Sequence, residues 1–254
     1  PLPQIARIAH EVGALLVVDA VHHVCHGPTD VRAIGADALV FSGYKLFSRH
    51  GSFLYLRPDL VENLSPYKVD PSPKHGPEKW EWGTRDQAMF AAISGTIDYL
   101  ASAVGGAGSA LEPGRQRKAR LRKAMVAIEA YEERLSRILL EGDGISPGLL
   151  DLPGLTLFGP KEIPKTLGRD PTFTFKLAGY EDSVLSRILY EKYGIAVGAE
   201  DYFSRVPRLF GFDTGLEKAT IYYNVFPAHQ ILGAGYATTY AILGERIRAF
   251  QEEA

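Results

Sequence analysis

The sequence predicts an α/β domain followed by a smaller α+β domain, and three observations support this fold class. Short apolar runs alternate with helical periodicity in the first 56 residues, which is typical of strand–helix–strand units. Gly105–Gly114 is rich in glycine and has the composition of a linker. A long amphipathic stretch follows it and precedes a mixture of strand and helix patterns. We therefore expect a first domain at residues 1–112 and a second at residues 113–254.

The first domain is predicted to contain three strands, each indicated by a short apolar run. In chain order the predicted elements are a helix at Ile5–Val12, a strand at Ala14–Asp19, a short helix at Asp30–Ala36, strands at Asp37–Ser42 and Gly51–Leu56, a loop at residues 65–80 and a helix at Ala88–Ala103. Uninterrupted apolar runs are typical of parallel strands buried on both faces. The third strand follows with no room for a helix, so we expect it to be antiparallel to its neighbour.

The second domain is predicted to begin with a long helix. Leu121, Met125, Ile128, Leu135 and Ile138 lie near one face of that helix, as in an amphipathic helix packed on a core. In chain order the predicted elements are the helix Arg115–Glu141, a strand at Thr172–Leu177, a helix at Asp182–Tyr193, strands at Ile195–Val197 and Ala219–Asn224, and a helix at about His229–Glu252.

Composition excludes several classes of function. The 28 basic and 30 acidic residues leave a formal charge of −2, which argues against a nucleic-acid binder. The single cysteine excludes an intrachain disulfide and any zinc site with several cysteines. No apolar run approaches the ~18 residues that a membrane helix needs. With no charged and apolar leader visible either, we expect a cytoplasmic protein.

Asp19 and Lys45 follow two predicted strands that we expect to be neighbours in the sheet. The carboxyl ends of parallel strands are where open α/β sheets bind ligands. An acid there can also be a helix cap or a turn residue, and a lysine there can simply extend to solvent. An acid and an amine together match pyridoxal phosphate, which needs a lysine for a Schiff base and an acid beside its ring nitrogen.

A longer stretch around these residues resembles a known family. The segment VDAVHHVCHGPTDVRAIGADALVFSGYKLF (Val18–Phe47) is similar to the cofactor segment of class V aminotransferases, the cysteine-desulfurase-like branch of the fold-type I pyridoxal-phosphate enzymes. SPYKV (Ser65–Val69), EWGT (Glu81–Thr84), RDPTFTF (Arg169–Phe175) and YYN (Tyr222–Asn224) extend the resemblance over nearly the whole chain. It implies part of a fold-type I large domain followed by a smaller C-terminal domain.

The resemblance also implies a role for each matching residue. Lys45 would form the Schiff base with pyridoxal 5'-phosphate and move the substrate's α-proton. Asp19 would pair with the pyridine nitrogen, and His22 would lie near the phenolic oxygen of the ring. Ser42 would bind the phosphate, with Tyr44 standing where many relatives have histidine.

Thr84 implies an oligomer, because in the family the matching threonine reaches the phosphate in the neighbouring subunit. We therefore expect a homodimer with a shared active site and a small amino-acid-like substrate. The expected reaction is lyase or transferase chemistry by elimination, transamination or epimerisation. The alternative is a catalytically degenerate or partner-dependent scaffold with the same fold.

Two departures from the family pattern concern the substrate. Desulfurases carry a nucleophilic cysteine in the segment that matches Gly198–Ser204, which contains none. Cys25 is in a different element, so we expect it to be a packed side chain and the protein not to form a persulfide. Relatives place a carboxylate-binding arginine six residues before the tyrosine that matches Tyr223, where this chain has Glu217 beside Lys218.

A third departure is that the chain lacks the family's N-terminal part. By resemblance, that part supplies the first strands of the large domain, the turn that cradles the phosphate and the aromatic side chain that stacks on the cofactor ring. We expect either that the missing half exists elsewhere or that the cofactor is held poorly. Taken alone, the chain would expose a sheet edge and apolar faces, so we expect poor solubility.

Two other clusters suggest weaker alternatives. His22, His23, Cys25 and His26 are zinc-type ligands, but four ligands within five residues cannot readily surround one ion, so we expect no metal site. Arg115–Lys123 carries six positive charges, and we interpret it as the solvated face of a helix because no aromatic residues are interleaved for base stacking.

Overall fold

The computed structural model describes residues 2–81, 83–105, 114–161, 170–180, 184–199 and 217–220. The chain forms two compact units, residues 1–128 and 129–254. The division between the units falls inside the long helix Arg115–Glu141 rather than before it. The domain boundary predicted between residues 112 and 113 stays a prediction.

The first unit contains a three-stranded sheet in the order β1-β2-β3. Its elements are α1 (Leu2–Glu11), β1 (Val17–Asp19), α2 (Val31–Ile34), β2 (Ala38–Ser42), β3 (Ser52–Leu56), α3 (Pro58–Asn63), α4 (Gln87–Tyr99) and the first half of α5 (Arg115–Glu141). β1 is parallel to β2, and β3 is antiparallel to β2. These pairings confirm the predicted strands and the predicted direction of the third; α3 is a helix that the sequence pattern did not predict.

The short helix α2 connects the two parallel strands and has a cap at each end. The Asp30 carboxylate accepts hydrogen bonds from the backbone amides of Arg32 and Ala33 at 3.0 and 3.2 Å. Gly35 ends the helix with φ of 76°, a left-handed conformation that glycine adopts without a Cβ penalty. The caps bind free backbone groups at both ends of this four-residue helix, which lies within the connection between β1 and β2.

β1 is more exposed than the sequence predicts. Val17 has 64% of its surface exposed, and β1 pairs only with β2 among the described strands. The prediction that this run is buried on both faces is therefore wrong for the chain as it stands. The physical reason is that a strand with one neighbour leaves its other edge and part of its faces open.

The loop after α3 is anchored by two side chains that reach back to that helix. Lys79 is buried, and its Nζ donates to the carbonyl oxygen of Glu62 at 2.8 Å. Trp80 Nε1 donates to the carbonyl oxygen of Val61 at 3.2 Å. These bonds fix the proline-rich segment, which the sequence predicts as a loop, on the end of α3.

The second unit is built on an antiparallel sheet in the order β4-β5-β7-β6. Its elements after α5 are β4 (Leu155–Phe158), β5 (Thr172–Leu177), α6 (Val184–Tyr193), β6 (Gly198–Ala199) and β7 (Glu217–Thr220). Phe173, Phe175 and Leu177 alternate along β5 and are fully buried against Leu135 and Leu139 of α5. This alternation explains why β5 has the predicted bounds.

Several elements predicted for the second unit differ from those in the structure or lie outside the described residues. The sequence pattern did not predict β4, and the strand expected at Ile195–Val197 is found two to three residues later, as β6. β7 begins before the expected strand Ala219–Asn224, of which residues 221–224 lie outside the described residues. The helix expected at about His229–Glu252 also lies outside them. Among the described residues, no helix combines the length and hydrophobicity needed to cross a membrane.

Asp37 joins three segments of the first unit at the start of β2. Its carboxylate is 1% exposed and accepts from the Leu16 amide at 2.7 Å and from His10 Nε2 at 2.8 Å. Arg57 donates to its other oxygen. Burial alone would raise the pKa of Asp37, but these hydrogen bonds and the charge of Arg57 outweigh burial and lower that pKa.

We expect Asp37→Asn to lower the free energy of unfolding of the first unit by about 2–3 kcal/mol, because it removes a charged acceptor from three donors. Urea unfolding followed by tryptophan fluorescence measures this, since both tryptophans, Trp80 and Trp82, are in residues 1–128. Asp59→Asn is the control: its carboxylate also pairs with Arg57 but is 50% exposed, so we expect a much smaller change in the free energy of unfolding.

The effect of Asp37→Asn depends on pH with a defined sign. A carboxyl group with a lowered pKa stabilises the fold above its unfolded pKa of about 3.9 and loses that contribution as pH falls through its folded pKa. The difference in the free energy of unfolding between wild type and Asp37→Asn therefore narrows as pH falls below about 4. A difference that grows below about pH 4 would contradict this role.

Candidate active site

The parallel pairing of β1 with β2 brings the predicted site residues to one edge of the sheet. Asp19 ends β1 opposite Val40, and Ser42 ends β2 two residues later. The Ala20 amide donates to the Val40 carbonyl oxygen at 2.9 Å, so the pairing extends to the strand end. The carboxyl ends of both strands therefore face the same side, where ligands bind in open α/β sheets.

Asp19 is exposed and sits in a tight turn. Its Oδ1 accepts a hydrogen bond from the Val21 amide at 3.0 Å, which is an Asx-type turn. The turn leads into a single 3₁₀ turn, His23–Cys25. The hydrogen bond orients the Asp19 carboxylate at the edge of the sheet, so the turn geometry and a ligand-binding role are compatible.

Lys45 lies on a 3₁₀ turn, Gly43–Leu46, that follows β2 directly. The Gly43 amide donates to the Gly51 carbonyl oxygen at 2.8 Å, and the Ser48 amide donates to the Gly43 carbonyl oxygen at 3.0 Å. The turn ends at Phe47, whose φ of 56° is left-handed and costs a residue with a Cβ about 1 kcal/mol or more. The hydrogen bonds on both sides hold this strained turn, and hence Lys45, in place.

Two aromatic rings adjoin the Lys45 amine. Its Nζ lies 5.5 Å from the centroid of the Tyr44 ring, within cation–π range. Tyr44 in turn stacks on His50, with 4.6 Å between ring centroids and 23° between planes. The sequence pattern did not single out His50. The one signal in the sequence was its position six residues after Tyr44, which stands where many relatives have a histidine.

The histidine-rich turn packs beside the Lys45 turn. His22 and His26 contact each other edge to face at 4.9 Å between ring centroids. Cys25 is fully buried, and its Sγ lies 3.4 Å from the His22 carbonyl oxygen. The prediction that Cys25 is a packed side chain is confirmed. Within the described ranges, no group of three or more His, Cys, Asp or Glu side chains is arranged to hold a metal ion.

Thr84 is exposed in the segment that precedes α4. That helix begins where the Asp86 carboxylate accepts from the Ala88 amide at 2.9 Å, and it packs on the Lys45 turn. Phe90 of α4 contacts Phe53 of β3 with 6.4 Å between ring centroids. Thr84 is thus attached to an element that supports the site, and its role toward a neighbouring subunit stays a prediction.

The residues at this edge suit a cofactor with an aldehyde, a basic ring nitrogen and a phosphate. Lys45 offers an amine, Asp19 a carboxylate and Ser42 a hydroxyl group. Asp19, Ser42 and Lys45 are each at least partly exposed, so a ligand can reach all three. The donor set therefore fits pyridoxal phosphate, while the assigned role of each residue stays a prediction.

Comparisons with known proteins agree on the family to which this chain is similar. The model of the family "Aminotransferase class-V" matches residues 1–200. The chain is 28% identical over 236 residues to a Synechocystis sp. protein named "Probable cysteine desulfurase", covering 88% of this chain and 49% of that protein. It is 31% identical over 198 residues to a cysteine desulfurase of Klebsiella pneumoniae, covering 78% of this chain and 44% of the relative.

Solved structures show the same fold. The cysteine desulfurase CsdA of Escherichia coli has a TM-score of 0.68 at 20% identity, and the apo cysteine desulfurase of Thermococcus onnurineus NA1 has 0.64 at 18%. Each comparison covers 98% of this chain and 55–56% of the other. The chain therefore spans about half the length of the relatives it matches, and its fold is that of part of a fold-type I large domain with a smaller C-terminal domain.

We expect Gly43→Ala to displace the Lys45 turn, because a Cβ at Gly43 would lie 2.6 Å from the carbonyl oxygen of Arg49 and 3.1 Å from the Phe53 ring. Overpacking of this kind costs about 1–3 kcal/mol, measured by urea unfolding with tryptophan fluorescence. Gly95→Ala is the control: a Cβ there meets nothing within 4 Å, and alanine stabilises a helix by about 0.5–1 kcal/mol. Equal effects at the two positions would contradict the close approach at Gly43.

Proposed function

The chain belongs to the class V aminotransferase family, whose members depend on pyridoxal phosphate, and we propose that Lys45 is the residue that binds this cofactor. One observation carries the proposal: Asp19 ends β1 and the Lys45 turn follows β2, so both lie at the same edge of two paired parallel strands. This pairing brings together a carboxylate and an amine that are far apart in sequence. The proposed enzyme is a lyase or transferase acting on an amino acid or a derivative.

When bound, the cofactor withdraws electrons from the substrate's α-carbon and so makes its proton acidic. Lys45 Nζ would hold the cofactor covalently and, once released, would take that proton. The Asp19 carboxylate, oriented by the Val21 amide, would keep a proton on the ring nitrogen. Ser42 would bind the phosphate, and Tyr44 and His22 would line the same edge.

A homodimer would complete the site through Thr84, which is exposed and lies before a helix that packs on the Lys45 turn. The substrate carboxylate needs a cation. Where relatives have an arginine, this chain has Glu217 beside Lys218, and Arg205 and Arg208 are further candidate cations in its sequence. A lysine offers a point charge rather than the fork of an arginine, so selection for α-carboxylates by Lys218 would be weaker than by an arginine.

Persulfide formation is the point at which the relatives and the residues differ. The matched relatives are named cysteine desulfurases, and they give no support to the expectation that this protein forms no persulfide. That expectation rests on the absence of a cysteine from Gly198–Ser204 and on the position of Cys25 in a different element. The structure adds that Cys25 is 0% exposed. A buried thiol cannot reach a substrate sulfur, so we propose elimination, transamination or epimerisation without a protein-bound persulfide.

We expect pyridoxal phosphate followed by borohydride to label the full chain on Lys45, and Lys45→Ala to abolish that label. The physical reason is that this amine lies at the same sheet edge as the Asp19 carboxylate and the Ser42 hydroxyl group. Peptide mass spectrometry locates the adduct. Lys74→Ala, which changes an exposed lysine in the proline-rich loop, is the control and keeps the label.

Labelling spread over several lysines, with no preference for Lys45, would overturn the proposed cofactor site. Such a result would favour the alternative function, a scaffold of the same fold that does not bind the cofactor by itself. The observation that favours this alternative is that the chain spans only about half the length of its relatives.

We expect no persulfide on Cys25 after incubation with L-cysteine and pyridoxal phosphate, because the thiol is buried. Alkylation with iodoacetamide and mass spectrometry detect the persulfide directly, and Cys25→Ser serves as the background control. A persulfide on Cys25 that disappears in this variant would show that the protein does carry desulfurase chemistry.

A further inference from the structure

The loop that carries Lys45 is closed at two points. At its base, the Gly43 amide donates to the Gly51 carbonyl oxygen at 2.8 Å. One residue further along each limb, the rings of Tyr44 and His50 stack at 4.6 Å. Tyr44 and His50 therefore form a second, aromatic closure across the loop, immediately beside the residue that presents the amine.

The Tyr44 ring is not fixed by the core. Tyr44 is 46% exposed, so the core does not fully determine the plane of its ring. An exposed tyrosine samples several rotamers unless a contact selects one. The nearly parallel imidazole of His50 supplies such a contact, because offset-stacked rings attract each other.

The orientation of this ring matters for Lys45. An ammonium group is attracted to the face of an aromatic ring and not to its edge, and Lys45 Nζ lies over the Tyr44 ring at 5.5 Å from its centroid. Rotation of the ring would remove that attraction. The contact is one that the ring face makes with the protonated amine.

We propose that His50 is a positioning residue for Lys45: by stacking on Tyr44 it fixes the aromatic face on which the Lys45 ammonium rests. The stack restrains the Lys45 amine at the sheet edge until the amine reacts with an aldehyde. The significance for catalysis rests on the proposed function, in which Lys45 binds the cofactor. The contact itself can be measured without it.

Other charged and titratable groups lie around the loop. Arg49 directly precedes His50 in the sequence. Its Nη2 lies 3.9 Å from Asp86 Oδ2, so the charge of Arg49 is partly balanced by that carboxylate. His22 and His23 belong to the neighbouring turn, which packs against the Lys45 turn. Substitutions at Tyr44 and His50 leave all of these residues unchanged in sequence.

Reductive methylation of the full chain with formaldehyde and cyanoborohydride tests the proposal, because it reports the neutral fraction of each lysine and needs no cofactor. We expect His50→Ala and Tyr44→Leu to raise the rate at Lys45 about 2- to 5-fold near neutral pH, the factor that an exposed cation–π contact represents. The midpoint of the pH profile at Lys45 should shift to lower pH. Lys74 in the same digest is the internal reference and should not change.

His50→Phe and Tyr44→Phe keep the stacked rings and should restore the wild-type profile at Lys45. An unchanged profile in His50→Ala, or a His50→Phe profile that matches His50→Ala, would overturn the role of the stack. Circular dichroism verifies that each variant is folded. Pyridoxal phosphate and borohydride form a separate arm: a shifted methylation profile without a cofactor label on Lys45 would reject the proposed function and leave the positioning contact standing.

Discussion

The parallel pairing of β1 with β2 is the constraint on which the site depends. It places Asp19 and the Lys45 turn at one edge although they are 26 residues apart in sequence. Asp37 secures the opposite end of the same strands through the Leu16 amide, His10 and Arg57. One end of β2 therefore carries a buried carboxylate that stabilises the sheet, and the other end carries side chains that solvent can reach.

The Lys45 loop shows how a strained segment is kept in place. Phe47 adopts a left-handed conformation, which persists only when neighbouring contacts determine it. The Gly43 amide, the Ser48 amide and α4 supply those contacts. The close approach of the Arg49 carbonyl oxygen explains why position 43 is a glycine, since any Cβ would push the two limbs apart.

Two observations indicate that β1 has the sequence of a strand from a larger sheet: its exposure, and the match of this chain to about half the length of its relatives. β1 has the uninterrupted apolar sequence of an interior strand, yet Val17 is 64% exposed. The solved relatives of similar fold are nearly twice as long as the part that this chain matches. A run such as ALLVVD is typical of a strand with neighbours on both sides, so the sequence of β1 suits a larger sheet than three strands.

The sequence by itself determined the α/β class, the helices α4 and α5, and β5, because these features follow from local periodicity. The candidate site residues Asp19, Ser42 and Lys45 were indicated by the resemblance to a known family, and their roles stay predictions. Only the tertiary structure decided which edges are open, where β4 and β6 pair, and that His50 stacks on Tyr44. Pairing partners and ring contacts depend on residues far apart along the chain, and no local pattern in a single sequence specifies them.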